Sequence, residues 1–253
     1  MGTIRNYPLL LFVLSVLLLW LSVQAGAFLG KKRPPLEGDE RDDLNLVINA
    51  SLTLLALIIG FTFSMAVSRY DQRKNYEEEE ANAIGTEYVR ADLLPADQGA
   101  RVRQLLTQYL DLRLLFYTVR DSARLEHVNA ETAKLQDEMW SDVRLAAQAQ
   151  PTPVVALAVA GMNDVLNRQG YTQAAWWNRI PDGAWALMAC LSIGCSALIG
   201  YGAHRKGDRL FVVLPLLLSL AFFLIADIDS PRRGVIRVRP QNLLSLSDSL
   251  HKP

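Results

Sequence analysis

The chain has 253 residues, with 26 basic and 26 acidic side chains and three histidines, so its formal net charge is zero. That balance excludes a whole-chain electrostatic case for nucleic-acid binding. Half of the residues are apolar (51%) and gather in long uncharged blocks, which an ordinary soluble domain has no use for.

The first block, residues 6–30, carries no charge and is densest in LLLFVLSVLLLWL. Roughly 20 apolar residues cross about 30 Å of hydrocarbon as a helix, so it is long enough to span. Arg5, the apolar run and Val23-Gln24-Ala25 also fit a secretory signal with a small-residue cleavage site. The run is long for a signal, and keeping it as a helix within a segment 1–30 gives an even number of spans. The short loop KKRPPLEGDERDD leads to the second block, residues 44–68. There Thr53, Leu57, Phe61 and Ser64 or Met65 recur at three-to-four spacing and share one helix face. Ordinary packing against other helices explains such a face as well as a functional lining does.

Helix is expected to run on past the membrane boundary at Arg69, Arg73 and Lys74 into Glu77, Glu78, Glu79 and Glu80. Four adjacent carboxylates repel and need water, arginines or cations as relief. They read either as a solvated face or as a vestibule or cation-binding element. Residues 69–180 form a helical domain: a stripe from Val102 to Tyr117 on a helix capped by Asp97, and a second from Leu125 to Val143. A third helix runs from Pro153 to Arg168 and ends at Gly170. Trp176, Trp177 and Trp185 are expected at the membrane interface. A third spanning block covers 183–203, with Ser192, Ser196 and Gly200 as a close-packing stripe. After the polar turn AHRKGDR, which holds His204, the fourth covers 210–228, and residues 229–253 form a tail. Asp227, Asp229, Arg232 and Arg233 are read, with Arg69, as charged residues at the membrane boundary. With the N-terminus inside, the inner flanks hold nine lysines and arginines against seven outside. This favours both termini and residues 69–180 in the cytoplasm.

No Walker loop, dinucleotide fingerprint, HExxH or paired-cysteine metal spacing occurs, so no catalytic residue, metal or cofactor is expected. Cys190 and Cys195 lie on different helix faces and predict no disulfide.

The segments EEEEANAIGTEYVRADLLP and LIADIDSPRRGVIRVRPQNL resemble a family of bacterial membrane proteins with a bestrophin-like domain. The order Gly60-Phe61 then Val67-Ser68-Arg69-Tyr70 is similar to the end of the second membrane helix of bestrophins. The resemblance implies an all-α, four-transmembrane-helix subunit with a cytoplasmic helical domain, assembling with copies of itself as a pentamer in the bacterial inner membrane. It implies a pore neck at Thr53, Leu57 and Phe61, continued by Ser64 and Met65, with the bilayer and inorganic ions as partners. The acidic calcium-binding cluster of animal bestrophins has no equivalent here. A ring of Glu77–Glu80 copies would concentrate cations, whereas the best-known animal members pass anions, so selectivity stays open. The leading expectation is an oligomeric ion channel. The alternatives are a non-conducting scaffold or sensor that binds a partner through helices 98–150, and a small transporter or membrane enzyme using the acidic residues.

Overall fold

A computed structural model describes residues 4–34, 38–203 and 212–251. Eight α-helices of eight or more residues occur among the described residues, and no strand does: α1 (Pro8–Gly30), α2 (Asp39–Arg90), α3 (Ala96–Thr118), α4 (Ser122–Ala149), α5 (Pro153–Trp177), α6 (Asp182–Gly202), α7 (Val213–Asp229) and α8 (Gln241–Leu250). They divide between two compact units, Met1–Arg69 with Arg179–Ile236, and Tyr70–Asn178 with Arg237–Pro253. The long α2 contributes to both and runs without interruption through the polar boundary.

Among the described residues three stretches carry helix long and apolar enough to cross a membrane: Pro8–Gly30, wholly in the first unit, and Asp39–Leu93 and Pro153–Gly202, each shared with the second, the last containing α5 and α6. The fourth, α7, has 17 residues. The start of its predicted span at 210 and 211, and the turn with His204, lie outside the described residues. Proline opens α1, where its missing N–H costs no helical hydrogen bond. α1 and α6 lie side by side in the same direction with their backbones almost touching. A Cβ on Gly26 would sit 1.9 Å from the Ala197 carbonyl oxygen, and one on Gly200 would sit 2.0 Å from that of Val23. Only glycine permits such an approach, and hydrocarbon solvent leaves close packing as the main source of helix association. Ser192 and Ser196 of α6 are also buried. Cys190 and Cys195 are both free thiols.

The second unit has its own core, with Ile84 of α2, Leu106, Tyr109 and Phe116 of α3, Met139 and Val143 of α4, Met162 and Val165 of α5 and Leu243 of α8. Asp121 caps α4 by accepting from the Arg124 N–H, and Thr152 caps α5 through the Val155 N–H. Three expectations are corrected here. α3 begins at Ala96 after Pro95, and no side chain caps it, so Asp97 lies within its first turn. α5 passes through Gly170 to Trp177, because Thr172, Ala175 and Trp176 gain burial that outweighs a single glycine's propensity cost. Trp176 is no interfacial residue: it packs edge-on against Phe116 and Tyr117, while Trp177 is 74% exposed. The buried Arg73 guanidinium donates to the carbonyls of Ala175 and Asn178, satisfying the end of α5. The tail is in part ordered, since α8 packs into this core through Leu243.

Candidate functional site

Between Leu44 and Ser68, α2 has no charged side chain. Leu55, Thr62 and Ala66 are buried, Leu55 in a cluster with Leu19, Cys195 and Leu218. The other side is open: Thr53, Leu57 (54% exposed), Phe61 (65%), Ser64 and Met65 all face away from the chain's own core. The Thr53 hydroxyl donates to the Asn49 carbonyl and Thr62 to Ile58, which hides the donors in the helix itself. What remains is a largely apolar surface with Leu57 and Phe61 as its bulk. Arg69, half-buried, reaches back to the Met65 sulfur at 3.6 Å.

The four glutamates do not share one environment. Helix geometry puts Arg73, Glu77, Glu80, Ile84, Glu87 and Ala91 on one stripe, and all six are buried. Glu77 caps α8, with one oxygen accepting from the Asn242 and Leu243 backbone N–H groups at 2.9 and 3.0 Å. Its other oxygen takes the Asn242 side-chain amide at 2.7 Å. A carboxylate there also complements the positive end of the helix dipole. Glu80 pairs with Arg113, and both are 0% exposed. Its second oxygen accepts from the Tyr117 hydroxyl at 3.2 Å and from Thr172 at 3.0 Å. Burial pushes the Tyr117 hydroxyl pKa up, and the Glu80 charge pushes it further. Burial alone would lower Arg113; the Glu80 carboxylate more than reverses this and holds the guanidinium charged. Glu79 pairs with Arg168 near the surface, and Glu78 is exposed. The expected vestibule of four carboxylates is therefore corrected to a single exposed one plus a surface pair, because two of the four serve the interior of the unit.

Glu87 is different again. It is fully buried, and neither carboxylate oxygen has a hydrogen-bond partner. Burial raises its pKa to about 8, with Arg90 pulling down and Asp164 adding to the rise. Gly161 makes room for it: a Cβ there would lie 2.0 Å from a Glu87 oxygen and 2.7 Å from the Arg90 guanidinium. Arg90, Gly161, Asp164 and the Glu79–Arg168 pair line an adjoining polar cavity of about 290 Å³.

At the end of α7, Asp227 and Asp229 are buried. Asp227 accepts from the Val235 and Ile236 N–H groups at 2.7 and 2.8 Å, and Asp229 accepts from Ile180 N–H at 3.2 Å. They fold the 230–236 segment back onto the helix end. Gly234 lies where a Cβ would be 2.2 Å from the Asp227 carbonyl. Arg232 is half-buried, and Arg233 lies over the Tyr7 ring at 4.4 Å. Arg179, whose pKa burial lowers, donates to Asn6. Among the described residues no group of three or more His, Cys, Asp or Glu could hold a metal ion.

The α2 stripe carried a signal that pattern-reading passed over. Glu77 and Glu80 recur at the spacing of Ile84, and Arg113 sits inside an apolar stripe between Tyr109 and Phe116. An arginine in such a place demands a buried acid.

A family model described as a bestrophin-like domain matches residues 9–243. No curated protein matches the chain. Among solved structures it is similar to single-substitution variants of a bacterial bestrophin homologue from Klebsiella pneumoniae. One is 14% identical, with 98% of this chain and 99% of that chain covered and a TM-score of 0.63. A second is 15% identical over 96% and 97% with a TM-score of 0.63, and a third 15% identical over 94% and 98% with 0.62. At that identity the likeness is one of fold: all-helical, with helices fit to cross a membrane.

Proposed function

The chain belongs to the bestrophin-like domain family, and on that premise we propose that it is an oligomeric ion channel of the bacterial inner membrane. The observation that carries this reading is the two-sided character of α2. One side is buried by its own chain, and the other is an uncharged, exposed row of Thr53, Leu57, Phe61, Ser64 and Met65. Copies arranged about an axis, five if the likeness to bestrophins extends to assembly, would turn these rows inward. Leu57 and Phe61 would then ring a narrow apolar neck. Such a neck blocks ions by dewetting, since a few apolar rings deny an ion its hydration shell; small widening lets water and ions return. Of the acidic run, Glu77 and Glu80 are held inside the second unit by Asn242, Leu243, Arg113, Tyr117 and Thr172, which leaves Glu78 as its exposed carboxylate. Both termini and residues 69–180 are assigned to the cytoplasm, in keeping with the charge count of the flanks.

The test is ion flux from liposomes loaded with purified full-length protein, under potassium, sodium and chloride gradients. Phe61→Ala is expected to raise flux several-fold while leaving the oligomer intact on size exclusion. Absence of flux from both proteins, beside a working control channel, would favour the non-conducting scaffold instead.

A further inference from the structure

The polar cavity beside Glu87 lies wholly within the second unit and is about 290 Å³, near the lower edge of small-ligand pockets. Its wall carries two charges that the fold leaves unanswered, Arg90 of α2 and Asp164 of α5. Neither makes a hydrogen bond or ion pair with any described residue, each other included. Asp164 is exposed, and Arg90 is half-buried with none of its nitrogens sealed from solvent. The remaining wall charges, Glu79 and Arg168, hold each other, and Asn82 and Thr86 add neutral hydrogen-bonding groups. Behind the wall stands Glu87, its carboxylate and the Arg90 guanidinium both lying against the position that a Cβ on Gly161 would take. The Glu87 oxygens lack a partner and have no open surface, so they touch nothing that enters the cavity. Arg90 on its own helix and Asp164 on α5 are the charges that act on Glu87, while on α3 Arg101 and Arg103 are held by Asp142 and Asp92. An ionised Glu87 would therefore turn to Arg90 and draw the guanidinium away from the cavity.

We propose that this cavity binds one small zwitterion of the amino-acid class, its carboxylate on Arg90 and its ammonium on Asp164, with Glu87 as a positioning residue that decides whether Arg90 faces the ligand. A simple anion would meet the Asp164 carboxylate, and a simple cation the Arg90 guanidinium. A solute with both charges answers both, through charge-assisted hydrogen bonds of the strong kind. Gly161 fits the arrangement, because any larger residue would fill the space shared by the ends of the Glu87 and Arg90 side chains. Burial keeps the Glu87 carboxyl protonated up to about pH 8, which leaves Arg90 to the ligand below that pH. Above it Glu87 ionises, competes for Arg90 and weakens binding. The inference concerns the second unit alone and is independent of ion conduction.

The experiment uses full-length protein in nanodiscs. Each standard amino acid is added in turn and the shift in Tm read, and the strongest ligand is then titrated by isothermal calorimetry. At least one amino acid is expected to raise Tm. Acetate and ethylammonium, each carrying one of the two charges, are expected to bind about tenfold more weakly or worse. Arg90→Gln and Asp164→Asn should each weaken the amino acid by about tenfold or more. Asp164 is exposed, so its variant tests the site even if Arg90→Gln fails to fold. The wild-type Kd should rise several-fold between about pH 7 and 9 and stay nearly level in Glu87→Gln, a difference that a merely structural role of Glu87 would not produce. No rise in Tm with any amino acid, acetate binding as tightly as the amino acid, or Asp164→Asn binding like wild type would overturn the proposal. A pH slope that survives Glu87→Gln would overturn the part assigned to Glu87.

Discussion

The buried Glu80–Arg113 pair predicts an unequal response to removing its two partners. Both side chains are 0% exposed, so either single change leaves an uncompensated charge in the core. Such losses run to about 3–5 kcal/mol. The two orphans differ, however. Without Arg113, Glu80 keeps the Tyr117 and Thr172 hydroxyls as donors and can take up a proton. Without Glu80, Arg113 cannot lose its charge, two of its nitrogens have no partner, and only the Phe116 ring face remains at 4.3 Å. Glu80→Ala should therefore cost about 4 kcal/mol and Arg113→Met about 2 kcal/mol. For a chain of this size 1 kcal/mol moves Tm by about 2–4 °C, so the difference is about 4–8 °C. Thermal unfolding of full-length protein in nanodiscs, followed by near-UV circular dichroism, measures it. The double variant Glu80→Leu with Arg113→Met should recover most of the loss. Equal midpoints for the two single variants, or a double variant as poor as Glu80→Ala, would refute the reasoning.

Two further outcomes follow from the packing. Glu87 is held at about 8 against an ordinary carboxylate value of 4.5. Between these values the folded chain binds a proton that the unfolded chain has lost, so stability must fall as pH rises from about 4.5 to 8. Glu87→Gln should remove that slope and be more stable than wild type by roughly 2–4 kcal/mol at pH 9; parallel Tm profiles from pH 5 to 9 would show the slope to come from elsewhere. Gly200→Leu must push α1 away from α6, since even its Cβ overlaps the Val23 carbonyl. A loss of about 1–3 kcal/mol or more is expected, with Gly194→Ala, which meets nothing within 4 Å, as the neutral control.

Much of this fold was legible in the residues because a bilayer imposes a length and forbids charge. The blocks around α1, α2, α6 and α7 meet both demands, and the stripe of α3 and the pattern of α4 meet the ordinary rule of amphipathic helices. What escaped was the part decided by tertiary partners. Glu77 looks solvated until the N-terminus of α8 arrives from 165 residues away. Trp176 looks interfacial until α5 continues past Gly170 and delivers it to Phe116. Asp227 and Asp229 look like a stop signal for a membrane helix; their real task, collecting the N–H groups of Val235, Ile236 and Ile180, depends on loops whose course local pattern does not dictate. In each case a polar or aromatic residue on a helix was read by its neighbours in sequence, while its energy came from neighbours in space.

The central claim is that the open row on α2 lines a water-filled path in the assembled protein. Thiol modification during current recording tests it most directly. In a background with Cys190→Ser and Cys195→Ala, cysteine is placed in turn at Thr53, Leu57, Phe61, Leu54 and Ile58, and a charged methanethiosulfonate is added from the aqueous side of a planar bilayer. The account predicts rapid current block at Thr53→Cys, Leu57→Cys and Phe61→Cys, and none at Leu54→Cys or Ile58→Cys. Block at all five positions alike, or block confined to Leu54→Cys and Ile58→Cys, would contradict it.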